Sequence, residues 1–270
     1  MIGLVLGDTQ LGSLIINKIK LLNKKCIIID ISKKKIFKKN KNVFPLSIGQ
    51  LGKAILILKK YECKKIIFAG KVSTPNFTNT KFDFKALYYL PRIIKGAKKG
   101  DASIIKAVIN IFKKEGFKII SSTFFNPELL LKRGNYTKIK PDFFSKKDML
   151  KGKSIIIGLN NRKIGQGAVI RDGNVIAIEG IDGTDDMLNR VDVLLNRFSH
   201  RNKRKGILFK FPKRNQDLRV DLPTVGIKTV KKCAKIGLKG IVLKANQNIV
   251  LDRPKCISLA NKNRMFICAI

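Results

Sequence analysis

Ile2-Gly3-Leu4-Val5-Leu6-Gly7-Asp8-Thr9-Gln10-Leu11-Gly12-Ser13 is the stretch on which the fold turns. An apolar run enters a glycine, passes a polar pair and continues into an amphipathic segment, the pattern of a strand, a tight turn and a helix. The alternation recurs, with strand-like runs at Lys25 to Ile31, Lys65 to Ala69 and Lys118 to Ser121 and helical patterns between them. Helical spacing is clearest where Ile104, Ile105, Val108, Ile111 and Phe112 follow an N-cap residue at Asp101. Strands alternating with helices imply an α/β domain with a Rossmann-like parallel sheet, whose ligands bind at the carboxyl ends of the strands. Gly7 and Gly70, each just past a strand, mark the candidate ligand loops. The first has the Gly-x4-Gly spacing of a P-loop with Ser13 where the lysine should stand. It also has Thr9 where a dinucleotide fingerprint has its second glycine. A phosphate contact at the helix N-terminus needs neither signature. Asp30, at the second strand's end, reads as a ribose ligand or a turn former.

A chain of 270 residues implies two domains. The polar, turn-rich stretch 132–153 reads as a linker, dividing a nucleotide- or ligand-binding domain at 1–131 from a catalytic domain at 154–270. The second domain reads as α/β with a mixed sheet. Its expected strands are Ser154 to Leu159, Ala168 to Ile170, Val175 to Glu179, Gly206 to Phe211, Gly240 to Leu243, Ile249 to Leu251 and Met265 to Ala269. Helices are expected at Thr184 to Phe198, Thr224 to Ile236 and Pro254 to Asn261, the first presenting Met187, Leu188, Val191, Leu194, Leu195 and Phe198 on one face.

Composition removes several function classes. No window approaches about 18 consecutive apolar residues, so no membrane span is expected. Met1 leads directly into strand pattern with no basic region before it, which predicts a cytoplasmic protein. The five cysteines form no Cys-x-x-Cys pair, and four lie in apolar runs, so they read as core rather than disulfides or zinc ligands. The net charge of +39 would draw the chain to nucleic acid or anionic lipid. Yet 45 of the 57 basic residues are Lys and 12 are Arg, with isoleucine dominant throughout. That pattern matches AT-rich coding bias better than a nucleic-acid reader, which favours Arg and interleaved aromatics. No nucleic-acid partner is therefore expected, while the charge still favours peripheral association with anionic lipid. A single histidine, His200, and the lack of Gly-x-Ser-x-Gly or His-Glu-x-x-His leave carboxylates as the catalytic groups. Any metal would then be Mg²⁺ or another hard divalent cation held by oxygen.

The candidate chemistry lies in five stretches. Phe68-Ala69-Gly70-Lys71-Val72-Ser73-Thr74-Pro75 puts glycine, a cation and hydroxyls at a strand end, and Lys98-Lys99-Gly100-Asp101 precedes a helix. Ile164-Gly165-Gln166-Gly167-Ala168-Val169 stands before Glu179-Gly180-Ile181-Asp182-Gly183-Thr184-Asp185-Asp186. Five of the chain's 18 acidic residues lie between Glu179 and Asp192, an informative retention in so basic a protein. Asp185 and Asp186 also suit a helix's first turn. Arg219-Val220-Asp221-Leu222-Pro223-Thr224-Val225-Gly226 sets a carboxylate at a proline-fixed turn behind Lys210, Lys213, Arg214 and Arg219. Asp221 reads as a metal ligand or as the cap of a helix starting near Thr224.

Taken in order, these five stretches resemble the LpxI-type UDP-2,3-diacylglucosamine diphosphatases of lipid A biosynthesis, almost end to end. The resemblance implies metal-dependent hydrolysis of the substrate's diphosphate to UMP and 2,3-diacylglucosamine 1-phosphate, in a two-domain protein with its ligand between domains. It makes Asp221 the critical carboxylate. Asp185 and Glu179 are expected as further metal ligands. Substrate contacts are expected from Gly7, Gly70, Lys71, Lys99, Asp101, Gln166, Gly167, Thr184, Asp185, Lys210, Arg219 and Thr224. A UDP-linked diacylated glucosamine is the expected partner, with peripheral membrane association on the cytoplasmic face and a homodimer open. The family usually carries a glycine triplet followed by Leu-Pro after its first strand, where this chain has Gly7-Asp8-Thr9-Gln10-Leu11-Gly12. A Rossmann-like nucleotide-binding oxidoreductase and a basic nucleic-acid-binding protein are the competing classes.

Overall fold

The computed structural model describes every residue except 73–79, 98–100, 163, 198–203 and 215, with the side chains of residues 101, 102 and 197 also outside the description. The chain forms two units. The first is Met1–Pro127 with Asp217–Asp221, and the second is Glu128–Gln216 with Leu222–Ile270.

In the first unit the chain runs β1 (Ile2–Leu6), α1 (Gln10–Leu21), β2 (Cys26–Asp30), β3 (Val43–Pro45), α2 (Leu51–Lys60), β4 (Lys65–Ala69), α3 (Phe84–Ala97), α4 (Asp101–Lys114) and β5 (Lys118–Ile119). The strands are all parallel in the order β3-β2-β1-β4-β5, with Leu4 registered between Ile28 and Ile67. This is the doubly wound order through five strands, as the alternation predicts. Continuous apolar runs suit strands buried on both faces. Val5, Ile27, Ile29, Ile55, Leu58, Ile66 and Phe112 accordingly make the core.

The second unit continues with β6 (Gly134–Asn135), α5 (Phe143–Asn161), β7 (Gly167–Arg171), β8 (Asn174–Ile178), α6 (Gly183–Arg197), β9 (Ile207–Lys210), β10 (Thr224–Val225), α7 (Ile227–Ile236), β11 (Gly240–Leu243), β12 (Ile249–Val250), α8 (Arg253–Lys262) and β13 (Phe266–Ala269). Its main sheet is mixed, in the order β6-β13-β11-β9-β7-β8, with β9, β11 and β13 parallel and β7 antiparallel to both neighbours. A short parallel pair, β10 and β12, stands apart. The β7–β8 hairpin turns at Asp172 and Gly173, both at positive φ, the geometry of a two-residue turn that matches strand twist. The buried Asp148 carboxylate accepts both turn amides, at 3.1 and 2.7 Å.

Three expectations are corrected. The stretch 132–153, read as a linker, holds β6 and the first half of α5. The strand expected at Ser154 to Leu159 lies inside α5. Its isoleucine run mimics a strand, but Asp142 caps the helix by accepting from the Ser145 amide at 2.9 Å, and Gly152 lets it approach the Phe209 ring, where a Cβ would come within 2.2 Å. Finally, Thr224 opens a strand; α7 starts at Ile227 behind Gly226. Asp221 therefore caps no helix there. Cys63, Cys233, Cys256 and Cys268 are buried and Cys26 is half-buried, all as free thiols, and burial pushes the Cys233 thiol up to about 12. Among the described residues no helix is long and apolar enough to cross a membrane.

Candidate functional site

In the second unit the carboxyl ends of β8 and β9 and the amino end of antiparallel β7 meet at one edge of the sheet, where Gly167 pairs with Lys210. Lys210 and Glu179 are both buried there. The Lys210 ammonium donates to Thr184 Oγ1 at 2.7 Å, and the Thr184 hydroxyl donates to Glu179 Oε2 at 2.7 Å. A cation and a carboxylate are thus linked through one hydroxyl, each with a charge-assisted bond. Gly165 and Gly167 are glycines because residue 179 lies against them. A Cβ on Gly165 would fall 1.8 Å from the Glu179 carbonyl oxygen, and one on Gly167 2.5 Å from Glu179 Oε2. Between them the Gln166 carbonyl accepts from the Phe211 amide at 2.9 Å, while the buried Gln166 Oε1 has no hydrogen-bond partner.

The other nearby carboxylates have separate tasks. Asp182 accepts from the Gly180 amide at 3.1 Å and pairs with Arg190. Asp185, in the first turn of α6, pairs with Lys232 of α7 at 3.4 Å. Among the described residues no group of three His, Cys, Asp or Glu side chains is gathered as a metal cage. Of the expected set, Asp185 and Glu179 belong to the second unit and Asp221 to the first. A magnesium ion needs only one or two carboxylates with substrate phosphates, and a single carboxylate donor fits that requirement.

In the first unit the glycine turns after β1 and β4 pack backbone against backbone. The Gly7 amide donates to the Ala69 carbonyl at 2.9 Å and the Asp8 amide to the Lys71 carbonyl at 2.8 Å. Gly70, at φ +97°, would place a Cβ 2.9 Å from Gly7 atoms. Beyond the turn, Thr9 occupies the N-cap of α1 without a side-chain capping bond, and its buried hydroxyl oxygen has no hydrogen-bond partner. The α1 amides thus remain without a side-chain cap, as an anion site requires. Asp8 accepts from the Lys33 amide at 3.0 Å. Asp30 is fully buried and accepts from the Ser32 amide and hydroxyl and from the Phe37 amide, which is the turn-forming reading of that residue.

Asp221 ends the segment Asp217–Asp221, which belongs to the first unit. Its amide donates to the Asp217 carbonyl at 2.9 Å. Arg219 grips Asp217 with Nε at 2.9 Å and Nη2 at 2.6 Å, and its carbonyl accepts from the Ser122 amide at 2.7 Å. The Arg219 fork holds Asp217 below the usual carboxylate range, and Asp217 raises Arg219 in turn. Of the cations named with Asp221, Arg219 bonds to Asp217, Lys210 to Thr184 and Arg214 to Asn161 at 3.4 Å. Thr224 donates to the Leu222 carbonyl at 3.1 Å within the same turn. Lys71 is exposed; Lys99, the Asp101 side chain, and Ser73 to Pro75 lie outside the described residues. Sequence reasoning missed Asp217, whose signal was the Asp-x-Arg spacing that permits such a grip.

Comparison with known proteins covers both units. The family model for the LpxI N-terminal domain matches residues 1–129, and that for the LpxI C-terminal domain matches residues 132–268. The chain is also similar to a protein of Caulobacter vibrioides named UDP-2,3-diacylglucosamine pyrophosphatase LpxI, 37% identical over 226 residues, covering 83% of this chain and 81% of the relative.

Proposed function

The chain belongs to the LpxI family, and from that premise we propose that it is a hydrolase splitting the diphosphate of UDP-2,3-diacylglucosamine into UMP and 2,3-diacylglucosamine 1-phosphate, in lipid A biosynthesis. The observation that carries this reading is the extent of the likeness, which spans both domains and most of the relative's length. In the reaction, water adds to the phosphorus on the sugar side and the bond from that phosphorus to the UMP oxygen breaks. The electron pair leaves on UMP, and the protons of water pass to solvent. Because the leaving phosphate oxygen is weakly basic, placement and charge neutralisation supply most of the acceleration, and no histidine is needed.

Roles are assigned within each unit. Asp221 orients the attacking water; its peptide is fixed by the bond to the Asp217 carbonyl. Mg²⁺ or another hard divalent cation would be held by Asp221 together with substrate phosphate oxygens, and when bound it neutralises diphosphate charge. Lys210, held by Thr184, supplies a fixed positive charge for phosphate, while Glu179 sets the Thr184 hydroxyl and Gly165 and Gly167 make room for Glu179. In the first unit the uncapped α1 amides, the Gly7 and Gly70 turns and Lys71 suit a nucleotide phosphate.

The test is UMP release from UDP-2,3-diacylglucosamine with Mg²⁺ and with EDTA, for wild type and Asp221→Asn. Metal-dependent release at least a hundredfold lower in the variant is expected. Activity within tenfold of wild type would remove Asp221 from its role, and no release from folded wild type would overturn the function. The diacylated substrate and the charge of +39 further support peripheral binding to the cytoplasmic face of an anionic membrane.

A further inference from the structure

One side of α5 is apolar along its middle and basic along both edges. Phe143, Leu150 and Ile157 are 64%, 74% and 46% exposed and recur every seven residues, two helical turns apart, so they lie nearly in line. At about 100° per residue, Lys146 and Lys153 fall along one edge of that line and Lys147 and Lys151 along the other. All four lysines are exposed. Lys147 Nζ lies 4.6 Å from the centre of the Phe143 ring, so its stem covers apolar surface while its charge reaches outward. The opposite side of the helix, with Ser145, Asp148, Gly152, Ile156 and Leu159, is buried. Packing therefore fixes the stripe's orientation.

We propose that this face of α5 is the surface by which the protein lies on a bilayer containing anionic lipid. An apolar line flanked on both sides by lysines has the chemistry of an interfacial helix: the apolar side chains enter the acyl boundary and the ammonium groups meet phosphate headgroups. Charge also selects against a second copy of the chain as occupant, since pairing two such faces would set lysine edge against lysine edge within a Debye length of about 8 Å. The exposed apolar residues of α3, Phe84 and Tyr88, serve as the comparison: Lys85 beside them pairs with Glu115 at 2.6 Å, and the exposed Arg92 and Lys95 follow them toward the helix's end rather than flanking them on two edges. The inference rests on the reading that a diacylated substrate reaches the enzyme from a membrane.

The experiment is sedimentation of the full chain with vesicles of phosphatidylcholine alone or mixed with phosphatidylglycerol. Wild type is compared with Leu150→Glu/Ile157→Glu and with Phe84→Glu/Tyr88→Glu, a pair that changes charge equally on the other unit. Binding of wild type to anionic vesicles should fall at least tenfold in the α5 variant and less than twofold in the α3 variant. Equal loss in both, no loss in the α5 variant, or no binding of wild type would overturn the proposal. So would a wild-type dimer in light scattering that the α5 variant dissociates. Hydrolysis of detergent-dispersed substrate should be unchanged in the α5 variant; if wild type fails that assay, the functional reading falls while the vesicle result still decides the surface.

Discussion

At the carboxyl end of the first sheet the shaping atoms belong to the backbone, whereas at the corresponding edge of the second sheet they belong to side chains. Gly7 and Gly70 bring two turns into contact that no Cβ would permit, and the carboxylates there, Asp8 and Asp30, are consumed in holding loop amides. In the second unit glycines only make space. Lys210, Thr184 and Glu179 are the parts they make space for. A backbone site tolerates much side-chain drift but little change at its glycines. A side-chain relay behaves conversely, since its members are coupled to one another.

The largest effect should come from breaking the relay. Lys210→Met leaves the buried Glu179 carboxylate without its relayed cation, and stability in urea should fall by about 3 kcal/mol. Adding Glu179→Gln should restore at least half of that loss; strictly additive losses would show that the two residues are not coupled. Next in size is Gly70→Ala, expected to cost about 2 kcal/mol through left-handed backbone and contact with Gly7. Gly237 sharpens the point: it has φ +83° but nothing within 4 Å of a built Cβ, so Gly237→Ala should cost only about 1 kcal/mol. Equal losses at the two glycines would refute the backbone-contact argument.

The smallest difference concerns acid. Burial pushes the Glu115 carboxyl up, but Lys59 and Lys85 outweigh it and hold it at about 2. In the second unit Lys239 and then the Ser145 amide hold Asp142 at about 2 as well. Both values are depressed, so the stabilisation is full at neutral pH and drains away as pH falls from about 4.5 toward 2. Glu115 is 10% exposed and Asp142 44%, so solvent screens the second more. Across that window Glu115→Gln should flatten the pH dependence of urea stability by about 1 kcal/mol and Asp142→Asn by less than about 0.5 kcal/mol. The reverse order would mean that burial does not set the difference.

Much of the architecture was legible because its strands are plain apolar runs. β1, β4 and β11 begin and end where those runs do. β3 escaped notice because three residues ending in proline carry no periodicity, and β6 and β10 because two-residue strands are made by their partners, not by their own sequence. The isoleucine run of α5 misled because its apolar residues face both the core and solvent, which erases the helical stripe. At the candidate site, the retained carboxylate Glu179 and the Gly165-Gln166-Gly167 spacing were readable. The link from Lys210 to Thr184 was not, since it joins residues 26 apart through folding alone. The use of Arg219 as an internal clamp had a signal in the Asp-x-Arg spacing, but that spacing alone does not choose it, because a guanidinium near a carboxylate in sequence can turn to any neighbour.

The segment Asp217–Asp221 also has a temporal meaning. Val220 packs on the first unit's core and Arg219 bonds to Ser122, yet both are made long after the five strands of that unit. On a ribosome, where domains fold in the order of their synthesis, the first sheet can form early, but the packing on its core is finished only when residues 217–221 follow the stretch Glu128–Gln216 of the second unit. The residue that closes this delayed stitch is Asp221, so a nascent chain acquires its proposed catalytic carboxylate only after the stretch Glu128–Gln216 of the second unit has been translated.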